Sequence, residues 1–175
     1  MKRSARFAVV FLLAGLLLVF LPGGVRAENM SWSHTEGFNE RTKQPSSSAF
    51  SFQRSGDSFS GGITFSCTGA DFVSNFVASV SIRNNDFYPF EKNDVFWRID
   101  SGAEPKSVWQ RHDESWGGLR LVGPRALELA FEMLRAKKQV QITTDHGSIV
   151  NDLTNYTDAI ARMFKHCVTP YVKPF

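Results

Sequence analysis

Two cysteines, Cys67 and Cys167, are the residues whose chemistry is easiest to read. An even count in an oxidising compartment pairs as a disulfide. Two buried free thiols are the competing reading. A Cys–His nucleophile pair is a third, because His166 precedes Cys167. Neighbours on one helix point about 100° apart, so that imidazole does not meet the adjacent sulfur. The four histidines are His34, His112, His146 and His166, and none stands at H-x-x-x-H or H-E-x-x-H spacing. His112-Asp113-Glu114 and Asp145-His146 come closest to a ligand cluster and read as polar turns, so no metal is expected. No G-x-S-x-G surrounds a serine, and Gly61-Gly62 and Gly117-Gly118 make neither a phosphate loop nor a dinucleotide fingerprint. No cofactor and no catalytic residue follow from these motifs. Asp100, Glu104, Asp113 and Glu114 offer carboxylates for sugar chemistry, and nothing in their spacing distinguishes them from solvated charges.

Aromatic residues and arginines gather in one stretch. Phe96, Trp97, Trp109 and Trp116 lie near Arg98, Arg111 and Arg120. If Trp97 faces a core, Phe96 and Arg98 share the opposite face of the strand. Exposed aromatics beside arginines are enriched at protein interfaces. Arg98, Trp109 and Trp116 are therefore the candidate interaction surface, with plain core packing as the alternative for the tryptophans.

Period-two alternation marks the elements that would carry these residues. It runs through Phe50 and Phe52, then Ile63, Phe65 and Cys67 after a Gly61-Gly62 turn. It continues through Phe76, Ala78, Val80 and Ile82, and through Val95, Trp97 and Ile99. Turn residues separate the strands: Asn84-Asn85-Asp86, Ser101-Gly102 and Trp116-Gly117-Gly118. Val108 and Gln110 belong to a further strand, and Leu119 to Val122 to another. Pro124 suits the first turn of a helix whose apolar face reads Leu127, Ala130, Phe131 and Leu134. Val140 and Ile142 return to strand spacing, Asp145 to Ser148 form a hairpin turn, and a short strand runs through Ile149 and Leu153. A last helix starts near Thr154 or Asn155, with Tyr156, Ile160, Met163, Phe164 and Cys167 inward. Strands, a helix, more strands and a final helix exclude a regular parallel α/β sheet. The expected fold is α+β or mainly β: an antiparallel sheet or sandwich of about seven to eight strands with two packed helices, the last at the C-terminus.

The N-terminal end bears on location. Lys2, Arg3 and Arg6 precede an apolar run from Phe7 to Leu21, then Pro22-Gly23-Gly24 and Val25-Arg26-Ala27. This pattern predicts a signal peptide over residues 1–27, cut after Ala27. The run is shorter than the roughly 20 residues a span requires, so no stable membrane span is expected after cleavage. Residues 28–48 are polar and read as a flexible lead-in, onto which Trp32 and Phe38 could dock, and 49–175 read as a single globular domain. The chain holds 20 Lys and Arg against 17 Asp and Glu, and four of the basic residues fall before residue 28. The remainder is slightly acidic, which argues against a nucleic-acid partner.

The segment from Val95 to Cys167 has a recognisable order: V-F-W-R-I-D, a tryptophan, a helix leading into V-Q-I-T, and a last helix ending in cysteine. It resembles small exported bacterial proteins of the type VI secretion-associated periplasmic accessory family. In outline it is also similar to the exported invasion-associated locus B family. The resemblance covers under half of the chain and carries over no catalytic residue. It implies a Gram-negative periplasmic protein that acts by binding.

The sequence therefore points to a periplasmic or secreted accessory protein that contacts an envelope or secretion-system protein without catalysing a reaction. An envelope hydrolase acting on cell-wall polymer and an inhibitor of a secreted or host enzyme are the alternatives.

Overall fold

The computed structural model describes residues 28–168 except 30, 40–42, 56–57, 70, 83–90 and 113–117. The expected signal peptide, the Asn84-Asn85-Asp86 turn and Trp116 lie outside the described residues. Ten strands and two helices follow in order: β1 Glu28–Asn29, β2 Ser33–Asn39, β3 Gln44–Ser55, β4 Ser58–Thr68, β5 Val77–Ile82, β6 Lys92–Ile99, β7 Lys106–Arg111, β8 Leu119–Val122, α1 Pro124–Arg135, β9 Gln139–Thr144, β10 Gly147–Asp152 and α2 Tyr156–Val168. The strands make one antiparallel sheet in the order β1-β3-β4-β5-β8-β7-β6-β9-β10, with β2 paired to β3 beside β1. This is a mainly-β fold with two helices, the last at the C-terminal end of the described chain.

The sheet bends round until its last strand reaches its second. Asn151 of β10 donates its side-chain amide to Ser51 Oγ of β3 at 3.0 Å, and Gln53 of β3 donates to the Val150 carbonyl. Just beyond, the Trp32 backbone N–H donates to the Thr154 carbonyl at 3.2 Å, and its indole N–H to the Asp152 carbonyl at 2.8 Å. These bonds satisfy groups that an unclosed sheet would leave to water.

Both helices cover the inner face. α1 packs on β5 and β8, and α2 on β2, β3 and β4. Apolar alternation supplies that face: Ile63, Phe65 and Cys67 on β4, Ala78, Val80 and Ile82 on β5, and Val95 and Trp97 on β6 are buried. Tyr156 of α2 meets Trp32 edge-on at 4.6 Å between ring centroids and lies 6.0 Å from Phe65. Cys67 on β4 and Cys167 on α2 form the expected disulfide, their Cα atoms 6.2 Å apart across 100 residues of sequence.

The structure departs from the sequence reading in four places. The polar segment 28–48 is not a flexible lead-in: its described residues supply β1, β2 and the first part of β3, and Trp32 is 3% exposed. Its strands are held by main-chain pairing, to which side-chain polarity is no guide. Phe50 and Phe52 lie on the outer face of β3, rings 5.1 Å apart, while Ser47, Ala49, Ser51 and Gln53 face inward. The polar residues are inside because the joint with β10 and β2 requires hydrogen-bonding groups there. Gly61 and Gly62 are not a turn but lie within β4. A Cβ on Gly61 would sit 2.7 Å from Ile149 of β10 and 2.8 Å from the Ser81 carbonyl, and the Phe52 ring lies across Gly62. The pair permits close approach on both sides of the strand. On α1 the wholly buried residues are Ala126, Leu129, Ala130 and Met133. Phe131 is 45% exposed, rotated off the sheet to lie 5.7 Å from Phe164 of α2.

Candidate functional site

The sheet's inner face and the end of α1 meet at a cleft of about 300 Å³. Strand alternation places Trp97 and Ile99 of β6 on its floor, next to the β6–β7 connection, residues 100–105. Ala103 and Pro105 form one wall, and Glu132 and Arg135 from the last turn of α1 form the other. The volume is at the lower end of the range for small-ligand pockets.

The connection is held in place by backbone geometry. Asp100 adopts φ 52°, a conformation that aspartate tolerates better than most residues. Its carboxylate accepts the main-chain N–H of Lys137 at 2.9 Å, Lys138 at 2.9 Å and Gln139 at 3.0 Å, and its own N–H donates to the Gln139 carbonyl at 2.9 Å. The amides of Lys137 and Gln139, chiefly, hold the Asp100 carboxyl below the usual carboxylate range. One side chain thus fixes the turn against the segment that leaves α1. At the far end of the turn, the Trp97 N–H donates to the Pro105 carbonyl at 3.4 Å.

The chemistry of the cleft is mixed. The Trp97 indole N–H donates to Glu132 Oε2 at 3.2 Å, which satisfies a buried tryptophan and orients the carboxylate. Among the described residues Arg135 has no ion-pair partner. An apolar floor, an oriented carboxylate and a neighbouring guanidinium can hold an apolar group flanked by polar or charged ones.

The three residues expected to form one surface are not brought together. Trp109 is 0% exposed: β7 alternation turns it inward, opposite Asn93 of β6, and sends Val108 outward. It is a core residue and not part of an interaction surface. Its indole N–H meets no acceptor among the described residues. Arg98 is on the outer face as expected, where it pairs with Glu104 of the cleft's turn. Trp116 lies outside the described residues. Sequence reasoning treated Trp97 as core, which is correct for most of the ring, and missed Pro105, Glu132 and Arg135. Only the i, i+3 placement of Glu132 and Arg135 at the end of α1 could have flagged them, and that spacing is common on helix surfaces.

Of the sequence's carboxylate candidates, Asp100 is bound by main-chain amides and Glu104 by Arg98, and Asp113 and Glu114 lie outside the described residues. Among the described residues, no three His, Cys, Asp or Glu side chains gather at one point where a metal ion could be held. No protein-family model matches the chain, and comparison with curated proteins and with solved structures gives no match.

The disulfide is consistent with an oxidising compartment such as the periplasm or the cell exterior. Among the described residues no helix is long and apolar enough to cross a membrane.

Proposed function

We propose that this chain is an exported binding domain, an accessory protein of the cell envelope or a secretion system. It holds a segment of a partner polypeptide in the cleft between α1 and the β6–β7 connection. The observation that carries the reading is the Asp100 anchor. Three main-chain amides fix a wall of the cleft that would otherwise be a mobile turn, and a pre-formed site binds without the cost of ordering itself. The apolar floor takes a side chain, and Glu132 and Arg135 fix its orientation. The disulfide, the basic and apolar N-terminal pattern and the likeness to exported accessory families support the location.

A photo-reactive side chain at Ala103, in the cleft wall, tests this in cells. A matched probe at Val108, on the outer face, is the control. The expected result is cross-linking to one partner from Ala103 only, abolished by Arg135→Glu. Equal labelling from both positions, or insensitivity to Arg135→Glu, would remove the cleft from the function.

A further inference from the structure

We propose that a second cleft, at the other helix–sheet joint, binds a hydroxyl-rich small molecule, a saccharide unit. This site lies between the start of β2 and the first two turns of α2, has a volume of about 410 Å³, and is lined chiefly by Trp32, His34, Asn155, Asp158, Ala159 and Arg162. It is independent of the Trp97 cleft.

The lining decides the ligand class. Asp158 and Arg162 stand one helical turn apart, the spacing at which an acid and a base on one helix pair. Neither has an ion-pair partner among the described residues, so the wall presents a free carboxylate and a free guanidinium together. Asn155, at φ 63°, precedes α2 and adds an amide that both donates and accepts. Ser33, at the start of β2, adds a hydroxyl, and two of the remaining polar groups are already used. The Trp32 indole N–H is bonded to the Asp152 carbonyl, leaving an apolar ring edge, and His34 Nε2 lies 3.0 Å from Ser47 Oγ and 3.5 Å from Glu36. Ala159 completes the apolar part of the floor.

An anion entering this cleft meets Asp158, and a cation meets Arg162. An apolar ligand would strip water from both charges without replacing their hydrogen bonds. A polyol satisfies the two at once. Each hydroxyl donates as well as accepts, so neighbouring hydroxyls can donate to Asp158 and accept from Arg162, while Trp32, 3% exposed, and Ala159, 5% exposed, offer the sugar's carbon atoms only a narrow apolar edge. A few such bonds in an open cleft correspond to a dissociation constant on the order of millimolar.

The test is a titration of the disulfide-bonded protein followed by amide and indole NMR. Glucose, N-acetylglucosamine and their disaccharides are the probes, with glycine and inorganic phosphate in parallel. At least one saccharide should move the Trp32 indole and the Asn155 and Arg162 amides. Asp158→Asn and Arg162→Ala, both at exposed positions, should each weaken that binding by about tenfold, the weight of one hydrogen bond to a charged group, with the melting temperature lowered by no more than about 3 °C, since Asp158 also lies in the first turn of α2. Movement with glycine or phosphate and not with sugars would overturn the assignment in favour of a zwitterion or an anion. No movement with any probe, or saccharide binding indifferent to both substitutions, would overturn the site.

Discussion

The phenol of Tyr156 donates a 2.8 Å hydrogen bond to the main-chain carbonyl of Ala130, tying the last helix to the first in the protein interior. Burial pushes its ionisation well above the ordinary tyrosine range, so it remains a donor at neutral pH. Tyr156→Phe keeps the ring against Trp32 and removes one hydrogen bond. It should cost about 1 kcal/mol, a fall in melting temperature of about 2–4 °C for a domain of this size. Because the folded-state pKa is raised, this residue's contribution is intact below pH about 10 and is lost as pH rises from there towards the folded value. Wild type should therefore lose more stability than Tyr156→Phe in strongly alkaline buffer. Parallel alkaline melting curves for the two proteins would contradict this.

Asp100 should show the opposite dependence. Its folded pKa is lowered, so its contribution is present above the unfolded value near 4 and disappears as pH falls through the folded value. Urea midpoints of wild type and Asp100→Asn should differ at neutral pH and converge in acid. Asp100→Leu should be worse than Asp100→Asn, since leucine offers no acceptor to the three amides and tolerates positive φ poorly. A constant gap across the acid range would mean that the carboxylate charge is not what matters.

Reducing the Cys67–Cys167 bond should destabilise the protein by about 3–5 kcal/mol, the chain-entropy range for a loop of this length. The Cys67→Ser, Cys167→Ser double variant should match the reduced protein in chemical denaturation. If the variant is as stable as the oxidised wild type, the bond constrains little.

Trp109 and Val108 separate core from surface. Trp109→Ala should cost about 3–5 kcal/mol through the cavity it leaves. Val108→Thr, on a side chain 53% exposed, should change stability by less than about 0.5 kcal/mol. Equilibrium unfolding of the pair checks the direction of β7, and the reverse ranking would mean a slipped strand.

The contrast between those neighbours shows what the sequence could and could not convey. Wherever apolar residues alternate cleanly, as in Ile63, Phe65 and Cys67 or Val95 and Trp97, strand and buried face were both legible. The disulfide was legible from cysteine count and export pattern. β3 was misleading because its two phenylalanines mark the outer face and its serines the inner one. That inversion serves a contact with β10 about 100 residues later, which no local window reports. The cleft was hidden for a similar reason. Trp97, Pro105 and Glu132 are brought together by Asp100 and the end of α1, and none carries a motif.

The closure of the sheet has a bearing on how the chain comes into being. Trp32 waits for Thr154, Ser51 for Asn151 and Cys67 for Cys167. Pairings of such long sequence separation form slowly, because loop closure must precede any gain from contact. A nascent chain that ends before β10 has neither the latch nor the cross-link, and one that lacks only the final helix still has no cross-link, so the closed form waits until nearly all of the chain is available. A polypeptide built this way can be passed through a narrow pore end first and set its shape only on the far side.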